Sequence, residues 1–373
     1  MKIVNMTITI TCKTIDFDLS FTDADKLIGH EVVGEVVAIG KGTHEVMAKR
    51  LLNKKVVGSF IMPCLSCAAC DRGEEEMCYN FFEHNRKSGH LYDGKTRLFR
   101  GNDENRNTVK EPVAMYSMGG LAEYCVTPIS SVSPIPMSLL DDAKNNGDDR
   151  TINNLSIVGC AIFTAYGAVH NTAKLRKGES CCIMGVGGIG SSIIQIAKAA
   201  GASTIIAVDI SDDKLSLAAK LGATHFINAN GKQMDKVNEE IKEIFANGHA
   251  VGASGGVNGV DVCFEALGRG NTVNAAINAV RDGGRAVIIG LSHPEDFGSF
   301  QITHIVRRQI KIFGSYGARA TSDLPAIMKL IAEGELDVNS TISRRFSLDN
   351  VDDAYKLLQR GEIVGRAIIE MNS

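Results

Sequence analysis

The sequence predicts an α/β fold organised on a doubly wound parallel sheet, and three observations predict it. In the first, an apolar run from Cys181 to Met184 leads into Gly185-Val186-Gly187-Gly188-Ile189-Gly190, then an apolar-periodic segment, a Gly-Ala break, a β-branched run and Asp209. That order reads strand, turn, helix, strand, acid. The second is spacing: Asp209 follows Gly190 by 19 positions, where a dinucleotide-binding unit places a carboxylate at the end of its second strand. The third is that strand and helix patterns keep alternating afterwards, as a parallel sheet with crossover helices requires.

Each part of the turn has a physical role. Gly185 allows the sharp bend, Gly187 lets backbone N–H groups approach a pyrophosphate, and Gly190 lets the helix lie close to the strand, with Gly188 and Ile189 between them. The Asp209 carboxylate accepts hydrogen bonds from an adenosine ribose. Helices are expected from Lys214 to Leu221, Met234 to Ala246 and Asn271 to Val280. Strands are expected from His225 to Asn228, Val260 to Glu265, Arg285 to Leu291 and Ile310 to Phe313. Two more amphipathic helices, Ser322 to Ala332 and Asn350 to Gln359, precede a closing strand, Gly365 to Ile369.

The chain has 373 residues with 44% hydrophobic side chains, enough for two domains with ample cores. Its net charge of −3 offers no basic field for a nucleic-acid backbone, and Arg307-Arg308 reads as solvated surface. No run approaches a bilayer-spanning helix, and the polar, charged start MKIVNMTITITCKTIDFD lacks the apolar stretch of a signal peptide. The expected compartment is the cytoplasm. Ten cysteines, several of them clustered, read there as metal ligands rather than disulfides.

The first β-type run is Ile3 to Thr11, ending at Cys12. Gly29-His30-Glu31 then opens a β-branched segment, Val32 to Gly40, whose spaced glycines read as a bent strand. The next feature is Cys64, Cys67, Cys70 and Cys78, spaced C-x-x-C-x-x-C-x7-C. Four thiolates wrapped around one short loop make a closed tetrahedral site, so a zinc there is structural. An iron–sulfur cluster is the rival, poorly matched by the long last gap and the missing proline. Phe82 to Pro112 is polar with little periodicity and reads as a long surface excursion, returning at Gly119-Gly120-Leu121-Ala122-Glu123-Tyr124. Cys160 follows Gly159 in an apolar segment and is a candidate third ligand beside Cys12 and His30. Cys125, Cys181, Cys182 and Cys263 lie inside strand patterns and are assigned to core packing.

Taken together, in order, these motifs resemble the zinc-dependent medium-chain alcohol dehydrogenases: Cys12 with Thr14, Gly29-His30-Glu31, the four-cysteine lobe, Gly119 to Tyr124, Gly159-Cys160 before Thr164, the glycine turn, Asp209 and Gly365-Arg366. The resemblance implies a Rossmann domain, residues 162–313, inserted in a GroES-like β-rich catalytic domain, residues 1–161 and 314–373. It implies a catalytic zinc on Cys12, His30 and Cys160, with Glu31 close behind, in addition to the structural zinc, hence two zinc ions per chain. Two thiolates and an imidazole leave the fourth position for water or substrate oxygen. Thr14 takes the hydroxyl proton, Thr164 flanks the nicotinamide of NAD, Lys214 joins Asp209 at the ribose, and Lys13 and Arg366 reach the pyrophosphate. Leu291 joins the cofactor site and the pocket wall. The implied activity is hydride transfer between NAD and a small alcohol, aldehyde or ketone, in a homodimer or homotetramer.

Two departures from the family pattern carry their own expectations. No histidine follows Cys12, where the segment reads Ile15-Asp16-Phe17-Asp18, so the proton is expected to leave through water or Asp16. Only eleven residues precede Cys12, which supports a second reading: a catalytically weak zinc- and dinucleotide-binding protein with a shortened catalytic domain. A zinc-free quinone or enoyl reductase is disfavoured by the two ligand sets.

Overall fold

The computed structural model describes residues 7–16, 26–27, 29–41, 43, 45–96, 98–100, 111–115, 117–246 and 259–371, giving the backbone course alone for 7–16, 26–27, 98–100 and 111–115. The chain forms two compact units, one of residues 1–163, 318–332 and 338–373, the other of residues 164–317 and 333–337. The fold class read from the sequence holds: a mixed α/β chain with an all-parallel six-stranded sheet in one unit and a largely antiparallel sheet in the other.

In the second unit β1 (Ser180–Met184), α1 (Gly188–Ala199), β2 (Thr204–Asp209), α2 (Asp212–Leu221), β3 (His225–Asn228) and α3 (Met234–Ala246) alternate. They continue as β4 (Val260–Glu265), α4 (Gly270–Ala279), β5 (Val280–Ile288), α5 (Ile302–Arg308) and β6 (Lys311–Gly314). The sheet order is β3-β2-β1-β4-β5-β6, in which the chain reverses direction beside β1, the switch point where open parallel sheets bind ligands. Strands β1, β2 and β4 are buried throughout, as near-continuous apolar runs covered by helices on both faces must be. Cys182, Ile206, Cys263, Ile277 and Ala286 share one core cluster with Val237 and Ile241 of α3. Cys125, Cys181, Cys182 and Cys263 are at most 1% exposed, as their strand positions imply.

In the first unit the central strand is Thr7–Asp16, which runs on four residues past Cys12, where the expected run stopped. One edge pairs along its length with Glu31–Ile39. The other edge is divided: residues 7–11 pair with Tyr124–Pro128 and residues 14–16 with Arg366–Glu370. Cys12 and Lys13 lie at that changeover, and the register against Glu31–Ile39 also shifts between Cys12 and Thr14. Such irregularities break the ladder and re-aim side chains, and they concentrate beside sites.

Two expectations are corrected. Phe82 to Pro112 is not a surface excursion throughout: Phe81–Arg86 is helical, Leu98–Arg100 and Glu111–Met115 pair as strands, and Phe81, Asn85 and Leu91 are no more than 1% exposed. Its apolar anchors are too widely spaced to register as a period. Asn85 accepts a 2.7 Å hydrogen bond from the Ser117 N–H, tying the segment down. Arg308 is likewise not solvated surface, because its guanidinium donates to Asp282 Oδ1 and to the Val280 carbonyl, both at 2.6 Å. Among the described residues no single helix is long and apolar enough to cross a membrane.

Candidate active site and metal centres

The four-cysteine lobe is built on a short helix, Ala68–Asp71, with Cys67 at its start, and a turn at Glu75–Met77 that delivers Cys78. The Sγ atoms of Cys64, Cys67, Cys70 and Cys78 all lie within 4.8 Å of one another. Cys67 Sγ is 3.6 Å from Cys70 Sγ and 3.9 Å from Cys78 Sγ. Four thiolates bound tetrahedrally at about 2.3 Å from zinc stand about 3.8 Å apart, so the residues fit a single ion. An iron–sulfur cluster puts several atoms between its thiolates and holds them farther apart. Burial raises the Cys67 thiol, but N–H donors of Cys70 and Tyr79 outweigh it and bring it down to about 6. Burial and neighbouring thiols push Cys70 upward, and burial pushes Cys78 up to about 11. A divalent cation relieves that crowding by taking the place of the protons. The lobe is tied to the helix Ala320–Ala332 through Glu75, which accepts from the Thr321 N–H at 2.9 Å and from the Thr321 hydroxyl.

Two of the residues expected in the second donor set, His30 and Cys160, lie next to Glu31 and its hydrogen-bond partner Ala161 in the chain. The Glu31 carboxylate is fully buried; its Oε1 accepts the Ala161 N–H at 2.9 Å and its Oε2 pairs with Arg366. His30 and Cys160 are the residues next to the two ends of that hydrogen bond, so Glu31 ties together the two segments that carry these candidate ligands. Gly159 explains the close approach: a Cβ there would overlap the carbonyl oxygen of Gly58, and the Gly159 carbonyl accepts from Phe60 N at 3.1 Å. The His30 ring, 7% exposed, packs edge-on against Phe60 at 5.8 Å. Cys160 is partly buried. The side chains of Cys12, Lys13 and Thr14 lie outside the described residues. Arg366, implied at a pyrophosphate by the resemblance, is engaged with Glu31.

In the second unit the glycine turn has the geometry its residues require. Gly185 has φ +94°, and a Cβ at position 190 would overlap the Gly185 carbonyl oxygen, so α1 can approach β1 only without one. A Cβ at Gly187 would meet nothing within 4 Å, which leaves open space in front of the first-turn N–H groups of α1. A diphosphate fits such a cradle. Asp209 is 7% exposed; its Oδ2 accepts the Val186 N–H at 2.8 Å and its Oδ1 the Ser211 N–H at 3.1 Å. It does not cap α2, because Ser211 is the N-cap and its hydroxyl accepts from Lys214 N. Gly188 and Ile189 start α1, Thr164 is 6% exposed, Lys214 sits half-buried in the first turn of α2, and Leu291 is exposed.

Sequence reasoning missed Glu265. Fully buried at the end of β4, it accepts from Gly268 N at 2.9 Å and from the Thr272 hydroxyl at 2.6 Å. It shapes the turn whose Leu267 side chain rests against Gly185. Its signal was available: an acid at a strand's carboxyl end, as at Asp209.

Comparison with known proteins bears on this arrangement. The family model for an alcohol dehydrogenase GroES-like domain matches residues 7–137, and that for a zinc-binding dehydrogenase matches residues 188–333. S-(hydroxymethyl)glutathione dehydrogenases of Escherichia coli O157:H7 and Shigella sonnei strain Ss046 are 29% identical over 378 residues, covering 98% of this chain and 91% of theirs. Among solved structures, an alcohol dehydrogenase zinc-binding domain protein from Burkholderia ambifaria superposes with TM-score 0.80 at 24% identity, covering 98% of this chain and 92% of that one. Benzyl alcohol dehydrogenase from Acinetobacter calcoaceticus does so with TM-score 0.77 at 22% identity, over the same shares. The two solved structures share the fold; the two family matches, in order along the chain with the cysteine, histidine and glycine motifs within and between them, say more. The chain belongs to the zinc-dependent medium-chain alcohol dehydrogenase family.

Proposed function

We propose that the chain is an NAD-dependent zinc alcohol dehydrogenase that interconverts a small alcohol with its aldehyde or ketone. The observation that carries the proposal is the buried Glu31 carboxylate, which bonds the Ala161 N–H and Arg366 and so ties together the chain segments that hold His30 and Cys160. Cys12, His30 and Cys160 hold the catalytic zinc, and Cys64, Cys67, Cys70 and Cys78 the structural one. When bound, zinc supplies Lewis acidity to the substrate oxygen and NAD accepts the hydride. Thr14 takes the hydroxyl proton and passes it on through water or Asp16. Glu31 sits behind the ligands and helps hold their segments in place, as carboxylates behind a metal site do.

On the cofactor side, Gly185, Gly187, Gly188, Ile189 and Gly190 receive the pyrophosphate, Thr164 and Leu291 flank the nicotinamide end, and Asp209 with Lys214 takes the ribose. The Asp209 oxygens each spend one lone pair on the backbone and have acceptor capacity left for ribose hydroxyls. The residues that follow, Ile210-Ser211-Asp212-Asp213, include no arginine to receive a 2′-phosphate. A homo-oligomer is part of the proposal, supported by the edge strand β6, with Ile312 and Phe313 exposed, and by exposed Phe297, Phe300 and Ile302. The test is a panel that includes benzyl alcohol and S-(hydroxymethyl)glutathione beside short alcohols and aldehydes, followed by NADH absorbance with zinc supplied. Turnover with NAD on at least one member is expected; zinc-loaded, folded protein inert with both NAD and NADP across the panel would reject the activity.

A further inference from the structure

The far edge of the parallel sheet from the glycine turn carries a cavity of about 330 Å³ lined by Lys174, Arg176, Arg281, Gly283, Arg285 and Lys311. It lies where β1, β5 and β6 begin, and none of these lining residues is one assigned to dinucleotide or zinc. We propose that this cavity is a binding site for a polyphosphate chain.

Charge supports the proposal first. Five cationic side chains line the cavity, and the carboxylates paired to them are two, Glu179 and Asp261, an excess of three positive charges on a chain whose net charge is −3. Asp282, close by, is held by Arg308 from outside the lining. The guanidiniums are pre-positioned. Arg281 donates Nε to Asp261 Oδ1 at 2.7 Å and Nη1 to the Asp282 carbonyl at 2.6 Å. Arg285 donates Nη1 to the Ala173 carbonyl at 2.7 Å and Nη2 to Glu179 Oε2 at 2.5 Å. Arg176 reaches Glu179 Oε1 through Nε and Nη2. Each guanidinium carries five N–H donors, so all three keep donors over, fixed in a fork that suits phosphate oxygens. Asp261 is 1% exposed and anchored by Ser180 N and Oγ, both at 2.8 Å, which makes the Arg281 position a built feature of the sheet edge.

The class of ligand follows from charge and lining. An excess of three charges calls for adjacent phosphates rather than a single monoanion, and the volume stands at the lower end of the ~300–1,000 Å³ range of small-molecule sites. Among the described residues no aromatic or large apolar side chain lines the cavity, so a nucleobase finds no stacking platform there. The phosphate chain itself is what the site recognises, free or as the tail of a nucleotide.

The test is calorimetric titration of the intact, zinc-supplied protein with sodium tripolyphosphate, ATP and orthophosphate at low ionic strength, with and without saturating NAD. Tripolyphosphate is expected to bind, to weaken as salt is added and to be insensitive to NAD. Lys174→Glu with Lys311→Glu leaves three cations facing four carboxylates and is expected to abolish binding. Should that pair fail to fold, Lys174→Gln alone, at an exposed turn, is expected to weaken binding about three-fold or more. ATP binding as well as tripolyphosphate assigns recognition to the phosphates in either source. Orthophosphate binding equally well would overturn the polyphosphate assignment. So would tripolyphosphate failing to bind, or binding that NAD displaces and the lysine substitutions leave unchanged, which places it at the glycine turn.

Discussion

Removing the Glu31 carboxylate tests the linkage between the segments that carry His30 and Cys160, the two described members of the proposed catalytic donor set. Glu31 is fully buried, accepts the Ala161 N–H at 2.9 Å and pairs with Arg366, which is itself 17% exposed. In Glu31→Ala the charged hydrogen bond to Ala161 is lost, worth about 1.5–3 kcal/mol, and the largely buried Arg366 guanidinium loses the Glu31 carboxylate. Breaking a buried pair from one side costs about 3–5 kcal/mol in total. Glu31→Gln keeps an acceptor for Ala161 and loses only the charge, so about 1–2 kcal/mol is expected. Adding Arg366→Met to Glu31→Ala removes the cation that faced Glu31 and should restore part of the stability. Because His30 and Cys160 flank the broken hydrogen bond, affinity for the catalytic zinc should also fall, by about 10–100-fold. Urea unfolding in excess zinc measures the first effect, and competition with a chromophoric chelator the second. Glu31→Ala within about 1 kcal/mol of the parent, with undiminished zinc affinity, would refute the reasoning.

Three further outcomes are expected. Cys67→Ser should leave one zinc per chain by elemental analysis and lower stability severely, since structural zinc contributes on the order of 10 kcal/mol in small folding units; Cys160→Ser should abolish turnover while the fold persists, and an active Cys160→Ser enzyme rejects that ligand. Asp209→Gly should narrow a preference for NAD over NADP worth about 2–4 kcal/mol, or tens to hundreds of fold in kcat/KM; equal use of both cofactors by the parent chain removes Asp209 from the ribose site. Burial raises the Glu179 carboxyl, but hydrogen bonds from Arg285 and Arg176 outweigh it and hold the group below its ordinary value. A depressed carboxyl contributes stability that is present above its unfolded pKa of about 4.3 and is lost as pH falls through the folded value. Glu179→Gln should therefore be less stable at neutral pH and lose less stability on acidification; parallel acid-melting curves for the two proteins contradict this.

The features legible in the sequence are those whose physics is local. The spacing of Gly185, Gly187 and Gly190 before a helix, the alternation of apolar runs, and four cysteines within fifteen residues each constrain a short piece of backbone. The sheet order of the second unit follows from such units, because right-handed crossovers leave few alternatives. What only the tertiary structure decided joins residues that no period connects. Glu31 meets Ala161 across 130 positions and Arg366 across 335. Cys12 stands where one strand changes partners, a property of three strands at once. Asn85 disappeared into a polar stretch because its partner, Ser117, is 32 residues away. The cationic edge gathers Lys174, Arg281 and Lys311 from three separate strand entries. A sequence records which groups exist and how they repeat; which buried charge finds which partner is settled by the packing of distant strands, where low polarity makes an unpaired group too costly to leave alone.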